Sequence, residues 1–221
     1  MEEQLDKGRN AYTVTILLFT FNILIYVYSI FFMEDAYLSG GINYHMVFEE
    51  KEYYRFLTSI YLHADISHIA MNMLALVVAG RMVESYLGSL KMVIIYFVSG
   101  FGGSLLSLLL QKPEENVYSI GASGAIFGLL MATALMQNKK AGKSFIRALV
   151  FVIIYALGTW SQGVDLLGHI GGALGGAAAA FVACLHFTED YKESKIKSIL
   201  GVAIAIMVSG LVCICIYTYN R

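Results

Sequence analysis

The sequence predicts an all-α membrane protein of seven transmembrane helices, with the amino terminus inside and the carboxyl terminus outside. Three observations carry that prediction. Apolar residues fill 58% of the 221 positions and charged residues only 14%, with one proline and a mean hydropathy of +0.67. A soluble domain carries about 25% charge, so this chain lacks the polar surface that water requires. The apolar residues gather into stretches near the roughly 20 residues that cross a bilayer as helix. Finally, Lys and Arg are concentrated in alternate connecting segments, which is how membrane helices are oriented.

Taken in order, the spans fall at 12–33, 66–84, 91–110, 122–137, 146–160, 168–187 and 198–217. Backbone groups in lipid must be paired internally, and without regular apolar–polar alternation these stretches read as helices, not barrel strands. The run after the polar segment Met1 to Asn10 is too long for a signal-peptide core, so it is the first span. With the amino terminus inside, eleven of the fifteen Lys and Arg fall on the inner side, against Lys51, Arg55, Lys112 and Arg221 outside. The fifth stretch is short and bordered by Gly158, Trp160 and Gly163. The division is a short cytoplasmic amino terminus (1–11), a six-helix core (12–187), and a linker with a seventh helix (188–221).

The longest connection, 34–65, lies outside and mixes Glu49, Glu50, Lys51, Glu52 and Arg55 with Tyr44, Phe48, Tyr53, Tyr54 and Phe56. Composition favours a solvated loop with a few aromatic anchors at the interface. A net charge of −1 argues against a nucleic-acid partner. Cys184, Cys213 and Cys215 have no chelating spacing, so neither a disulfide framework, a metal nor a cofactor is expected.

Ser123 sits in Gly121-Ala122-Ser123-Gly124-Ala125-Ile126-Phe127-Gly128, at the outer start of the fourth helix. A helix start offers unpaired N–H groups and a positive dipole end, which suit an oxyanion formed when a hydroxyl attacks a carbonyl. Gly124 and Gly128 are also a small-xxx-small packing pair, and packing is the better explanation of this motif alone. His169 opens His169-Ile170-Gly171-Gly172-Ala173-Leu174-Gly175-Gly176. An imidazole in hydrocarbon is costly and is kept for a partner or a task. The glycines beside it let the sixth helix lie close against another, and if that helix is the fourth, His169 reaches Ser123. The second helix begins His68-Ile69-Ala70-Met71-Asn72. Positions four apart share one face, and both side chains can donate to an oxyanion. For each alone an interhelical hydrogen bond suffices; together they place complementary chemistry on three helices at one depth.

In this combination the chain resembles the rhomboid intramembrane serine proteases. The matching pieces are His68-x-x-x-Asn72, Gly121-Ala122-Ser123-Gly124 and His169-x-Gly171-Gly172-x-x-x-Gly176, with Glu84 in Val83-Glu84-Ser85-Tyr86-Leu87-Gly88-Ser89, Arg55 in the outer loop, and His63. They cover about residues 50–180. The resemblance implies a six-helix core with one extra carboxyl-terminal helix, Ser123 as nucleophile and His169 as general base. It also implies an oxyanion site from Asn72, His68 and the backbone N–H groups at Ser123 and Gly124. Single-span membrane proteins, embedded in the same bilayer, would be cut near the outer face after local unwinding, entering between the second and fifth helices. Phe151, Tyr155 and Trp160 on the fifth are compatible with that route. A multi-pass location in a bacterial cell membrane is expected.

Two departures stand out: Tyr54-Arg55 replaces the family's frequent Trp-Arg, and Phe127 stands where tyrosine is common. Phe127 can stack on His169 but cannot donate a hydrogen bond. Asp165 lies one turn before His169 and is not read as a third catalytic group. Water would enter through a mouth lined by Ser119, Ser161 and Gln162. Two alternatives differ in class. An inactive rhomboid-like protein would bind membrane clients without cutting them, and the presence of both Ser123 and His169 argues against it. A small polar-solute transporter would need polar groups in the inner halves of its spans, which read as apolar.

Overall fold

The computed structural model describes residues 12–111, 116–137, 165–185 and Ile204. Four of the described helices are long and apolar enough to cross a membrane: α1 (Thr13–Phe32), α5 (Ile66–Leu87), α6 (Ser89–Leu110) and α8 (Leu166–Leu185). A shorter apolar helix, α7, spans Ser123–Gln137. The connection between α1 and α5 holds the short helices α2 (Ala36–Gly40), α3 (Tyr44–Phe48) and α4 (Arg55–Thr58). The predicted fifth span, 146–160, lies outside the described residues, and of the seventh only Ile204 is described, packed against the core.

Local chemistry sets the helix ends. Asp65 caps α5, its carboxylate accepting the His68 N–H at 2.9 Å. Gly88, at φ +85°, ends α5 and leads directly into α6. The amino end of α1 has no cap of its own. Glu84, buried at the far end of α5, supplies one: its two oxygens accept the N–H groups of Val14 and Thr15 (both 2.9 Å) and the Thr15 hydroxyl (2.7 Å). Ser89 at the start of α6 donates to the same carboxyl group at 2.9 Å. One side chain thus joins α1, α5 and α6. It also departs from the expectation of apolar inner halves, since Glu84, at the end of α5 away from His68, and Asn22, midway along α1, are both buried polar groups. Glu84 is matched by donors, and the Asn22 amide donates to the Leu18 carbonyl at 2.7 Å.

Glycine sets the spacing among α6, α7 and α8. A Cβ on Gly103 would stand 2.6 Å from the Gly168 carbonyl oxygen, and one on Gly102 would stand 2.9 Å from that of Gly171. A Cβ on Gly176 would collide with the backbone of Gly128, and one on Gly172 with that of Gly124. The backbones therefore touch, as in the small-residue interfaces of membrane helices. Lys91 on α6 donates to the Ala183 carbonyl at 3.0 Å, placing a cation at the negative end of α8.

Segment 34–65 is folded and partly buried, not the solvated loop that its composition suggested. Arg55 is 0% exposed. Its guanidinium donates to the carbonyls of Gly41 (2.9 Å) and Leu38 (2.8 Å) and pairs with Glu52 at 2.6 Å. Thr58 adds a bond to the Gly40 carbonyl at 2.7 Å. Ile42, Val47 and Leu108 form a small separate core under Tyr44, Phe48 and Phe56. Glu49, Glu50 and Lys51 stay exposed, but Arg55 is turned inward to hold the backbone of the loop, which composition alone does not reveal.

Candidate active site

The loop and the helix starts meet at one place. Ile42 exchanges two backbone hydrogen bonds with Ser119 (2.9 and 2.8 Å), and the Gly121 N–H donates to the Ser59 carbonyl at 2.8 Å. Gly121 has φ +124°, which suits glycine and turns the chain into α7 with Ser123 as its first residue. The N–H groups of Ser123 and Gly124 therefore lie in the first turn, where no intrahelical acceptor exists.

Ser123 Oγ stands 2.9 Å from His169 Nε2. His169 is on the first turn of α8 and is buried. Phe127, one turn along α7 from Ser123, stacks against the imidazole with ring centroids 4.2 Å apart. The close α7–α8 contact at the glycines helps bring serine and histidine within reach, since a side chain at Gly172 would collide with the Gly124 carbonyl.

His68 and Asn72 share one face of α5, and both aim at the backbone just before Ser123. A Cβ on Gly121 would stand 2.8 Å from His68 Nε2 and 3.5 Å from Asn72 Nδ2. His68 Nδ1 accepts the Ala64 N–H at 3.4 Å. That contact assigns the proton to Nε2, the atom facing Gly121. Behind it lies His63, buried, with its ring 5.1 Å from that of His68. Burial and the neighbouring His68 push the His63 pKa down to about 3, so this imidazole is neutral at physiological pH. The Ser67 hydroxyl and the His68 N–H hold the Asp65 carboxyl below its ordinary range.

A cavity of about 220 Å³ opens over this group, with Ser123, His169, His68 and Gly121 in its wall together with Tyr37 and Ser119. Sequence reasoning passed over Asp65 and Ser59, and weighed Asp165 only as a third catalytic group, not as a cap. The two aspartates could have been found from their position just before an apolar helical run, the usual place of a cap; the Ser59 carbonyl leaves no signal in sequence. Asp165 does not touch the His169 ring side chain to side chain: its oxygens accept the Ser119 hydroxyl (2.5 Å) and the Gly168 N–H (2.8 Å). Ser161 and Gln162 lie outside the described residues, whereas Ser119 does line the cavity. Among the described residues no group of three or more His, Cys, Asp and Glu could hold a metal ion.

The Rhomboid domain family matches residues 50–186. RHOMBOID-like protein 6, mitochondrial, of Arabidopsis thaliana is 36% identical over 172 residues, covering 73% of this chain and 54% of its own length. Rhomboid protease GluP of Bacillus subtilis is 33% identical over 177 residues, 78% of this chain and 34% of its own length. Inactive RHOMBOID-like protein 8 of Arabidopsis thaliana is 34% identical over 140 residues, 60% of this chain and 39% of its own length. The chain spans about half, or less, of the length of these relatives. They come from a plant and a bacterium, and the bacterial cell membrane expected from sequence has no support from them beyond a membrane location.

Proposed function

The chain belongs to the rhomboid family, and we propose that it is an intramembrane serine endopeptidase acting on single-span membrane proteins near the outer face. The observation that carries this reading is the 2.9 Å contact between Ser123 Oγ and His169 Nε2 at the start of α7. A relative whose name is Rhomboid protease GluP supports it.

In the proposed reaction His169 Nε2 takes the Ser123 proton as Oγ attacks the scissile carbonyl carbon, giving a tetrahedral oxyanion. The donors in reach of that oxygen are His68 Nε2–H, Asn72 Nδ2 and the first-turn N–H groups of Ser123 and Gly124. His169 then passes the proton to the leaving amine, and an acyl-enzyme remains. Water, deprotonated by the same imidazole, releases it. Phe127 limits the tilt of the ring but gives it no hydrogen bond, so tautomer and charge are set without a carboxylate on the ring, and turnover is expected to be modest.

A client helix hides its carbonyls in its own hydrogen bonds, so clients with helix-breaking residues and a small residue at the cut are favoured. Seven spans with the amino terminus inside remain the topology proposed from the charge distribution.

The name of the inactive relative motivates the second reading, a membrane-client binder without hydrolysis. Fluorophosphonate labelling of the folded full chain separates the two. Labelling of the wild type that disappears in Ser123→Ala and His169→Ala supports the protease; an unlabelled wild type would falsify it.

A further inference from the structure

The contact between Ser123 and His169 has a neighbour of the same form. Ser119 Oγ donates to Asp165 Oδ2 at 2.5 Å, and this pair, like Ser123 and His169, is separated by 46 residues in the chain. Ser119 and Asp165 therefore stand equally far ahead of the nucleophile and the base, as a second rung beside the first. Asp165 holds the base side twice over: its Oδ1 accepts the Gly168 N–H at 2.8 Å, and its carbonyl accepts the His169 N–H at 3.1 Å. Ser119 is held on the nucleophile side by its paired backbone bonds to Ile42.

We propose that Asp165 is a positioning residue for His169, acting through its hydrogen bond to Ser119 to fix the start of α8 against the segment that delivers Ser123. This inference rests on the serine-protease reading. The glycine contacts between α7 and α8 set how closely the helices approach, but smooth glycine faces do little to stop one helix sliding along or turning against the other. The Ser119–Asp165 bond lies at the end of the interface nearest the reacting atoms and removes that freedom. A carboxylate thus serves the dyad by holding the helix that carries the imidazole, and the ring itself stays free to move its proton. Displacement of a catalytic group by about 1 Å costs on the order of a hundredfold in rate, so such a rung bears on turnover and little on client binding.

The test uses purified full chain in detergent micelles, with fluorophosphonate labelling rates and steady-state cleavage of a single-span model client. The variants are Ser123→Ala, Asp165→Ala, Asp165→Asn, Ser119→Ala and the Ser119→Ala/Asp165→Ala double. Labelling of the wild type and none of Ser123→Ala establishes the underlying reading; no wild-type labelling overturns that reading itself. Given labelling, Ser119→Ala and Asp165→Ala are each expected to lower kcat and the labelling rate by about ten- to a hundredfold with KM unchanged. The double variant should be no slower than Asp165→Ala, and Asp165→Asn, whose carboxamide can still bond both partners, should recover most of the loss. Wild-type kcat in Ser119→Ala, or a change confined to KM, overturns the proposal. Should Asp165→Ala fail to fold, Ser119→Ala still decides, because it keeps the cap on α8.

Discussion

The Phe127 ring lies 4.2 Å from the His169 imidazole, centroid to centroid, with the planes 24° from parallel. An apolar face that accepts and donates nothing thus limits the ring in one direction, while Ser123 Oγ meets its edge at 2.9 Å. Such a ring contact is worth about 0.5–1.5 kcal/mol beyond burial. Phe127→Ala should therefore lower kcat by between about two- and tenfold, with Phe127→Tyr close to wild type. Steady-state cleavage rates check this, and a wild-type kcat in Phe127→Ala would show that the stack is idle.

Glu84 is 3% exposed and accepts from two N–H and two O–H groups. Glu84→Ala strands those donors at the ends of α1 and α6. Each charge-assisted bond is worth about 1.5–3 kcal/mol, so a loss of about 3 kcal/mol or more is expected, and Glu84→Gln, with one acceptor oxygen left, should fall between. Unfolding in mixed micelles measures it; an unchanged midpoint for Glu84→Ala would contradict the capping role.

Arg55→Lys should behave as a radical change. One ammonium cannot span the Leu38 and Gly41 carbonyls and Glu52 as the planar guanidinium does. Loosening of segment 34–65 is expected to reach the site through the Gly121 N–H to Ser59 carbonyl bond. Amide exchange should rise across 34–65 and at Gly121 in this variant. Unaltered protection at Gly121 would mean that the loop and the site are independent.

Gly176→Val places a branched side chain against the Gly128 backbone. Overpacking costs about 1–3 kcal/mol, and backbone in contact with backbone yields less than a side chain does. The variant should lose stability and also fluorophosphonate labelling, because α7 and α8 separate. Retained labelling at a lowered unfolding midpoint would dissociate the glycine contact from the dyad distance.

His63 supplies a pH dependence. Its pKa is lowered in the fold to about 3 by burial and by His68, against about 6.5 in an unfolded chain. Between those values the unfolded state binds the extra proton, so stability rises with pH. The contribution is fully present above about pH 6.5 and is lost as pH falls toward 3. Unfolding midpoints at pH 7 and pH 5 should differ less in His63→Phe than in the wild type, and an identical pH slope in both would exclude His63 as the source.

Much of the site was legible because membrane chemistry leaves few polar residues to choose among. His68, Asn72, Ser123 and His169 stood out against apolar runs, and the described helices begin and end within a few residues of the apolar stretches that cover them. The glycines beside Ser123 and His169 signalled close packing, and the contacts of Gly124 with Gly172 and of Gly128 with Gly176 are of that kind. What could not be read was the fate of polar groups whose partners are distant or are backbone carbonyls. Arg55 and Glu52 read as loop charge until Leu38 and Gly41 turned out to face the guanidinium. Asp165 stood near His169 in sequence, but its contact with Ser119 depends on how α7 and α8 are paired. Composition counts such residues; only the fold says what they touch.

The clasp at Glu84 also bears on the order of assembly. The amides that it satisfies, at Val14 and Thr15, precede it by 70 and 69 residues. Synthesis runs from the amino terminus, so α1 reaches the bilayer before its cap has been made. Until α5 follows, those two amides lack the Glu84 acceptors and need water in their place. Arrival of Glu84 supplies that cap, so α1 precedes α5 into the bilayer yet gains its buried acceptors only once α5 is in place.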